Sequence, residues 1–278
     1  MKITPPEEKK EKPKNHFIYI PQTAYSRLRL LKKQNKSFQL QETGSSQLIR
    51  YNNYRFFYSQ SIVKRKYMYL FQDIRKHVLA RIMDLDIDLD VDRLKPLYFK
   101  FKDVQLEDGQ VIEFGNVCQY DVNKAYYTTA RNLGIISQEY YKKYLALPKH
   151  MRLILIGSLA TRKTIRNYQG DLVISREVKE DEILRSVFKR IVVDTDKVLL
   201  QMSKALKDDF IYYWVDGITV NDTKKAAQIV KYYENLYNLE FSYDKLKFAR
   251  LEQRETLVAV VHTGKKEKIL YDRKIFKR

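Results

Sequence analysis

One cysteine, Cys118, and four histidines serve a chain of 278 residues. A lone cysteine excludes an internal disulfide and any cysteine-based zinc cluster. His16, His77, His150 and His262 form no i,i+4 pair and no ligand spacing, so the sequence offers no histidine metal site. Glycine numbers only 8 and proline 6, and no low-complexity linker or repeat divides the chain. No apolar run reaches the ~18 residues that span a bilayer. The opening "MKITPPEEKKEKPKN" has no apolar signal core. These absences point to a protein of a reducing, cytoplasmic compartment that does not enter the membrane.

Acidic charge is scarce too. Lys and Arg total 53 against 34 Asp and Glu, a net charge of +19. That excess says nothing about fold, but it attracts polyanions, of which nucleic acid is the commonest. The 22 tyrosines fit the same partner, since aromatic faces stack on exposed bases. A tyrosine-rich core in a lysine-rich proteome accounts for the composition equally well.

Periodicity predicts a mixed α+β chain. Residues 1–15 read as a flexible basic arm, and 16–114 as an N-terminal region of mixed helix and strand. Met68, Leu70, Phe71, Ile74, Val78 and Ile82 recur at helical steps. "DLDIDLDVDR" (84–93) alternates as a strand with aspartates on one face. It lacks the Gly and Glu of a calcium-binding EF-hand loop. Alternating runs on either side of Glu107-Asp108-Gly109 predict a hairpin over 97–122. Helical pattern covers about 124–148 and again 181–207. "DFIYYWVDGITVND" predicts a hairpin turning at Asp216-Gly217, a helix follows at 223–237, and a last hairpin turns at Thr263-Gly264.

Two aspartates sit in apolar β contexts: Asp121 after "VCQY" and Asp216 in "FIYYWVDGITV". Burying an unpaired carboxylate costs several kcal/mol, so each acid needs a partner. Side by side, the two carboxylates can share divalent ions about 3.5–4 Å apart, which clamp the attacking and leaving oxygens of phosphoryl transfer. Magnesium suits such oxygen ligands, with waters and substrate phosphates completing its shell. Asp216-Gly217 is also the favoured dipeptide of a type I′ hairpin turn, and would need no metal to explain it. The literal D-T-D of "VVDTDKV" lies within the helical stretch 181–207, where residues two apart point about 200° around the axis and cannot chelate together.

"YDVNKAYYTTARNLGIIS" resembles the first palm motif of family B DNA polymerases, D-x-x-S-L-Y-P, and its "DVN" opening is closest to the protein-primed branch. "YYWVDGITV" resembles the third, Y-G-D-T-D-S, with the metal-binding acid on Asp216. "MRLILIGSLATRK" is similar to the middle motif, K-x-x-x-N-S-L-Y-G. "LEFSYDKLKFARLEQRETLVAV" looks like the approach to the K-x-Y element. The likeness spans about residues 115–262 in the family's order. Its departures are Gly157, Ala160 and Thr161 at the middle motif's Asn, Tyr and Gly, Trp214 for the third motif's first acid, and Glu255-Thr256-Leu257 at K-x-Y.

The resemblance implies an antiparallel palm-type sheet with helices on one face in 115–278. It also implies very short fingers (about 130–180) and neither thumb nor exonuclease domain. Asp121 and Asp216 would be catalytic metal ligands, with the Val122 carbonyl a lesser one, for two Mg2+ ions or Mn2+ in their place. Tyr126 would stack under the incoming sugar and exclude a 2′-hydroxyl, although it is also compatible with a core role. Lys149 and Arg152 flank the position of the triphosphate-binding lysine, which falls on Leu153. Ser158, Lys247, Arg250 and Arg254 would contact nucleic acid. The activity implied is that of a minimal DNA polymerase or primase-type nucleotidyltransferase in DNA replication. It would act on template, primer and dNTP, with a partner replication protein supplying grip. So small a replication enzyme suggests a phage or mobile element working in a bacterial host. The competing reading is a polymerase-derived accessory protein that binds nucleic acid and has lost efficient chemistry.

Overall fold

The computed structural model describes residues 14–17, 21–43, 46–59, 68–90, 96–253, 257–262 and 267–271. The fold is α+β, with seven α-helices and two sheets among these residues. Two compact units divide the chain: residues 1–75 with 153–185, and 76–152 with 186–278. Both are discontinuous in sequence, which a linear division at residue 114 does not express.

The first unit carries a six-stranded sheet. Its strands are β1 (Lys14–Phe17), β2 (Ser37–Thr43), β3 (Ser46–Tyr51), β4 (Tyr54–Ser59), β7 (Lys163–Gln169) and β8 (Leu172–Lys179), in the order β1-β4-β3-β2-β7-β8. β1 runs parallel to β4, and the remaining pairs are antiparallel. Helix α1 (Pro21–Lys33) opens on proline, whose missing N–H costs nothing at a first helical position. Phe38 and Leu40 alternate inward along β2. They pack with Leu31, Ile49, Phe56, Tyr58 and Tyr168, the Phe38 and Tyr168 rings stacking at 4.8 Å. The β7–β8 turn needs Gly170: its φ is 58, and a Cβ there would strike the Asn35 side chain.

The second unit carries a seven-stranded sheet in the order β13-β12-β11-β6-β10-β9-β5. The strands are β5 (Phe99–Phe101), β6 (Val111–Val122), β9 (Phe210–Trp214), β10 (Gly217–Asn221), β11 (Phe241–Gln253), β12 (Leu257–His262) and β13 (Glu267–Tyr271). On one face lie Cys118, Tyr120 and Val122 of β6 with Ile218 and Val220 of β10. They bury against Val198, Leu199, Met202 and Leu206 of α6 (Glu182–Leu206) and Ala226 and Val230 of α7 (Lys224–Tyr237). On the other face Val117, Ile211, Tyr212, Leu246, Ala249 and Leu251 form a smaller cluster, covered by Phe101, Val104 and Leu106. Between β6 and α6 in sequence come α3 (Ala125–Asn132), α4 (Gln138–Leu145) and α5 (Lys149–Gly157), of which Lys149–Arg152 belong to this unit. Gly134, at φ 73, separates α3 from α4 where the helical pattern ran on unbroken.

Three sequence expectations change. Residues 84–90 alternate in exposure, with Leu85, Ile87 and Leu89 half-buried, yet they pair with no strand among the described residues; the Asp88 carbonyl is satisfied instead by the Arg190 guanidinium at 3.2 Å. The turn at Glu107–Gln110 forms, but its flanks do not pair. β5 joins the sheet edge beside β9, while β6 lies between β11 and β10. The β9–β10 hairpin pairs Trp214 with Gly217, so its two turn residues are Val215 and Asp216 rather than Asp216 and Gly217. Residues 91–93 of the alternating run, residues 1–13 of the basic arm expected over 1–15 and the turn at Thr263-Gly264 lie outside the described residues, while Lys14 and Asn15, at the end of that arm, open β1 instead.

Candidate active site

Strand alternation decides which way Asp121 points. Its neighbours Tyr120 and Val122 face the helices, so Asp121 and Gln119 face the opposite side. In register, Asp121 stands directly across from Gly217 on β10. A Cβ built on Gly217 would collide with Asp121 Oδ1. Glycine here serves close approach, since no positive φ demands it. The Gln119 side-chain amide donates to Asp121 Oδ1 at 2.8 Å, and the Ser242 hydroxyl donates to the Asp121 carbonyl at 3.3 Å.

Asp216 occupies the tip of the neighbouring hairpin. The Val122 N–H donates to its carbonyl at 2.8 Å, which ties the turn to the end of the strand bearing Asp121. Burial holds the Asp216 carboxyl above the ordinary carboxylate range, and the Asp121 charge adds to that. The Asp216 backbone N–H and the Lys149 ammonium pull it back down. Two acids distant in sequence therefore sit within each other's field on adjacent ribbons.

Backbone conformation around them is unusual. Val215 takes φ 53 and Tyr98 takes φ 62, a left-handed region that is costly for β-branched and bulky residues. The two are bonded to each other, the Val215 N–H donating to the Tyr98 carbonyl at 2.7 Å. Tyr98 is fixed from behind by Asp196, buried in α6. Asp196 accepts the Tyr98 N–H at 2.9 Å, the Leu97 N–H at 2.9 Å and the Tyr213 hydroxyl at 3.2 Å. Asp194, two residues earlier, instead pairs with Arg190 at 2.7 Å and Lys197 at 3.5 Å. The two acids of the literal D-T-D thus serve different partners.

The remaining candidates separate. Tyr126, second residue of α3, lies edge-on to Phe188 at 5.9 Å between ring centres. Its phenol is pushed up to about 12, chiefly by burial and then by the nearby Asp216 charge. Its neighbours Tyr120 and Tyr127 are core residues, and the Tyr127 hydroxyl donates to the Arg152 carbonyl at 3.0 Å. Lys149 opens α5, exposed and within the field of Asp216. Arg152 is half-buried, and its Nε has no hydrogen-bond partner among the described residues. Ser158 belongs to the other unit, buried, with its hydroxyl donating to the Leu155 carbonyl at 2.6 Å. Lys247 is exposed on β11, where Lys247 and Asn116 interrupt the ladder to β6. Arg250 pairs with Glu252 on the same strand. Arg254 lies outside the described residues.

Sequence reading missed Gln119, Gly217 as a close-approach residue, Tyr98 and Asp196. Only Asp196 left a trace, as a carboxylate on the apolar stripe of a helix. Among the described residues no group of three or more His, Cys, Asp or Glu side chains converges as a metal cluster. Nor is any helix among them long and apolar enough to cross a membrane. No model of a known protein family matches the chain, and no curated protein matches it by sequence.

Proposed function

We propose that the chain is a minimal nucleotidyltransferase of the family B DNA polymerase or primase type, acting in DNA replication by two-metal phosphoryl transfer. One observation carries the reading: the turn bearing Asp216 is tied by the Val122 N–H to the end of the strand bearing Asp121, near enough for the Asp121 charge to raise the Asp216 carboxyl. A stable core has no use for two neighbouring carboxylates that are both half-buried.

The donor set fits magnesium, or manganese in its place. Two carboxylates and the Val122 carbonyl are hard oxygen ligands, and this ion keeps waters and substrate phosphates in the rest of its shell. A site of that kind needs no third acidic side chain. Bound there, the ions neutralise charge on the transferring phosphoryl group and favour ionisation of the attacking hydroxyl.

The protein's own groups divide the remaining work. Gln119 holds one Asp121 oxygen and leaves the other open. Lys149, already within the field of Asp216, supplies the cation that a triphosphate requires. Tyr126 offers a half-buried ring beside Asp216 against which an incoming sugar packs. The net charge of +19 supports the DNA template and primer as partners.

Primer extension on a DNA template with dNTPs and magnesium tests the reading. Asp121→Ala and Asp216→Ala are each expected to cut extension by at least roughly 100-fold, the scale of losing one electrostatic element of a transition-state clamp. DNA affinity is expected to survive. A wild-type chain that binds DNA but extends no primer would favour the nucleic-acid-binding accessory protein instead.

A further inference from the structure

We infer that Asp196 is a positioning residue for the turn that carries Asp216, acting through the backbone of Tyr98. The inference rests on the reading of Asp121 and Asp216 as metal ligands and adds a residue that reading does not use.

The chain of contacts is direct. Asp196 is buried in α6, where an ionised carboxylate needs several donors to persist. It has three: the Leu97 N–H on Oδ2, and the Tyr98 N–H and Tyr213 hydroxyl on Oδ1. Two of these are successive backbone amides of the segment entering β5, so the carboxylate fixes that peptide in one orientation. Held so, Tyr98 keeps its left-handed φ of 62 and turns its carbonyl toward Val215. The Val215 N–H takes that carbonyl, and Val215 is itself left-handed at φ 53. The next residue is Asp216, whose carbonyl is held from the other side by Val122. The turn is thus pinned at two points, one on the strand of Asp121 and one on Asp196. Strained conformations persist only where surroundings over-determine them, and they gather at functional sites.

A purely structural role for Asp196 predicts lower stability and nothing more. A positioning role predicts that the metal site loosens while the fold survives. Asparagine at 196 keeps one acceptor oxygen and presents an N–H2 to a donor, so it releases at least one of the two backbone amides.

Manganese is titrated into the full chain, following the loss of the free-ion electron paramagnetic resonance signal, with thermal melts on the same samples. Asp196→Asn is expected to weaken manganese binding roughly 10- to 100-fold, the range for groups that orient metal ligands. Tyr213→Phe removes a donor from Asp196 without touching Tyr98, and is expected to lower the melting temperature while keeping wild-type affinity. If Asp196→Asn does not fold, the double variant Asp196→Asn/Val215→Gly relieves the left-handed strain and is expected to fold yet bind weakly. Wild-type affinity in folded Asp196→Asn, or in the double variant, overturns the inference and leaves the metal site standing. A wild-type chain that takes up no manganese, or whose uptake survives Asp121→Asn and Asp216→Asn, overturns the metal site and the inference together.

Discussion

Gly217 lies flat against the carboxylate of Asp121, leaving no room for a side chain between the two strands. The contact explains a glycine in an otherwise apolar, β-branched strand, where its entropy cost would go unrepaid. Gly217→Ala needs no forbidden backbone angle, so its whole effect falls on Asp121 and on Gln119, which sits beside it. We expect a stability loss of about 1–3 kcal/mol from overpacking. Displacing the acid is expected to cut extension roughly 100-fold, as small misplacements of reacting groups do. Denaturant melts and primer extension measure the two separately.

Asp216 should make the metal-free protein less stable at neutral pH. Burial and the Asp121 charge raise its folded pKa above the unfolded value. The folded chain therefore holds that proton more tightly than the unfolded chain does. The associated stability is complete below the unfolded pKa and is lost as pH rises through the folded one. Asp216→Asn removes the charge, so its melting temperature is expected above wild type at pH 7 and level with it below about pH 4. Magnesium should raise the wild-type melting temperature and leave Asp216→Asn unmoved. Wild type melting above the variant at pH 7 without metal would contradict the account.

Local pattern made much of the second unit legible and little of the first. The periodic stripe of α6 and the apolar contexts of Asp121 and Asp216 survive intact in the structure because each is set by neighbours in sequence. The six-stranded sheet was hidden because β2 pairs with β7, joining residues 37–43 to 163–169. No local rule forecasts that partner. "DLDIDLD" shows the converse: alternation gave half-buried Leu85, Ile87 and Leu89, yet a ladder needs a strand beside it and none is paired there among the described residues. The Asp-Gly rule misplaced the β9–β10 turn by one residue, since Gly217 is used for contact with Asp121 while Val215 bears the left-handed angle. Gln119 carried no legible signal of its own because its role depends on what lies across the sheet, and Asp196 showed only as a carboxylate on the apolar stripe of a helix, its backbone partners at 97 and 98 being far away in sequence.

Cys118 reports on the central strand. It is fully buried, and burial followed by the Asp222 charge pushes its thiol up to about 11. Thiolate is the reactive form, so the native protein should resist a thiol-reactive disulfide reagent at pH 8. One thiol per chain should react at once in denaturant. Since β6 lies between β10 and β11, native-state modification should follow opening of the seven-stranded sheet rather than surface fluctuation. Rapid labelling of native protein would mean that this sheet opens far more readily than its packing suggests.

Tyr126 offers the sharpest test of substrate choice. Its ring is half-buried, edge-on to Phe188, and lies within the field of Asp216, whereas Tyr120 and Tyr127 are committed to the core. If the ring floors the sugar pocket, shortening it opens space where a 2′-hydroxyl would sit. Tyr126→Val is then expected to raise ribonucleotide use relative to deoxynucleotide use by at least roughly tenfold, the lower range for discrimination by shape alone. The melting temperature should fall modestly, because the ring is only partly buried. Competing ribo- and deoxynucleotides in one extension reaction read the ratio directly. A drop in both rates with an unchanged ratio would assign Tyr126 to packing against Phe188 and remove it from the nucleotide site.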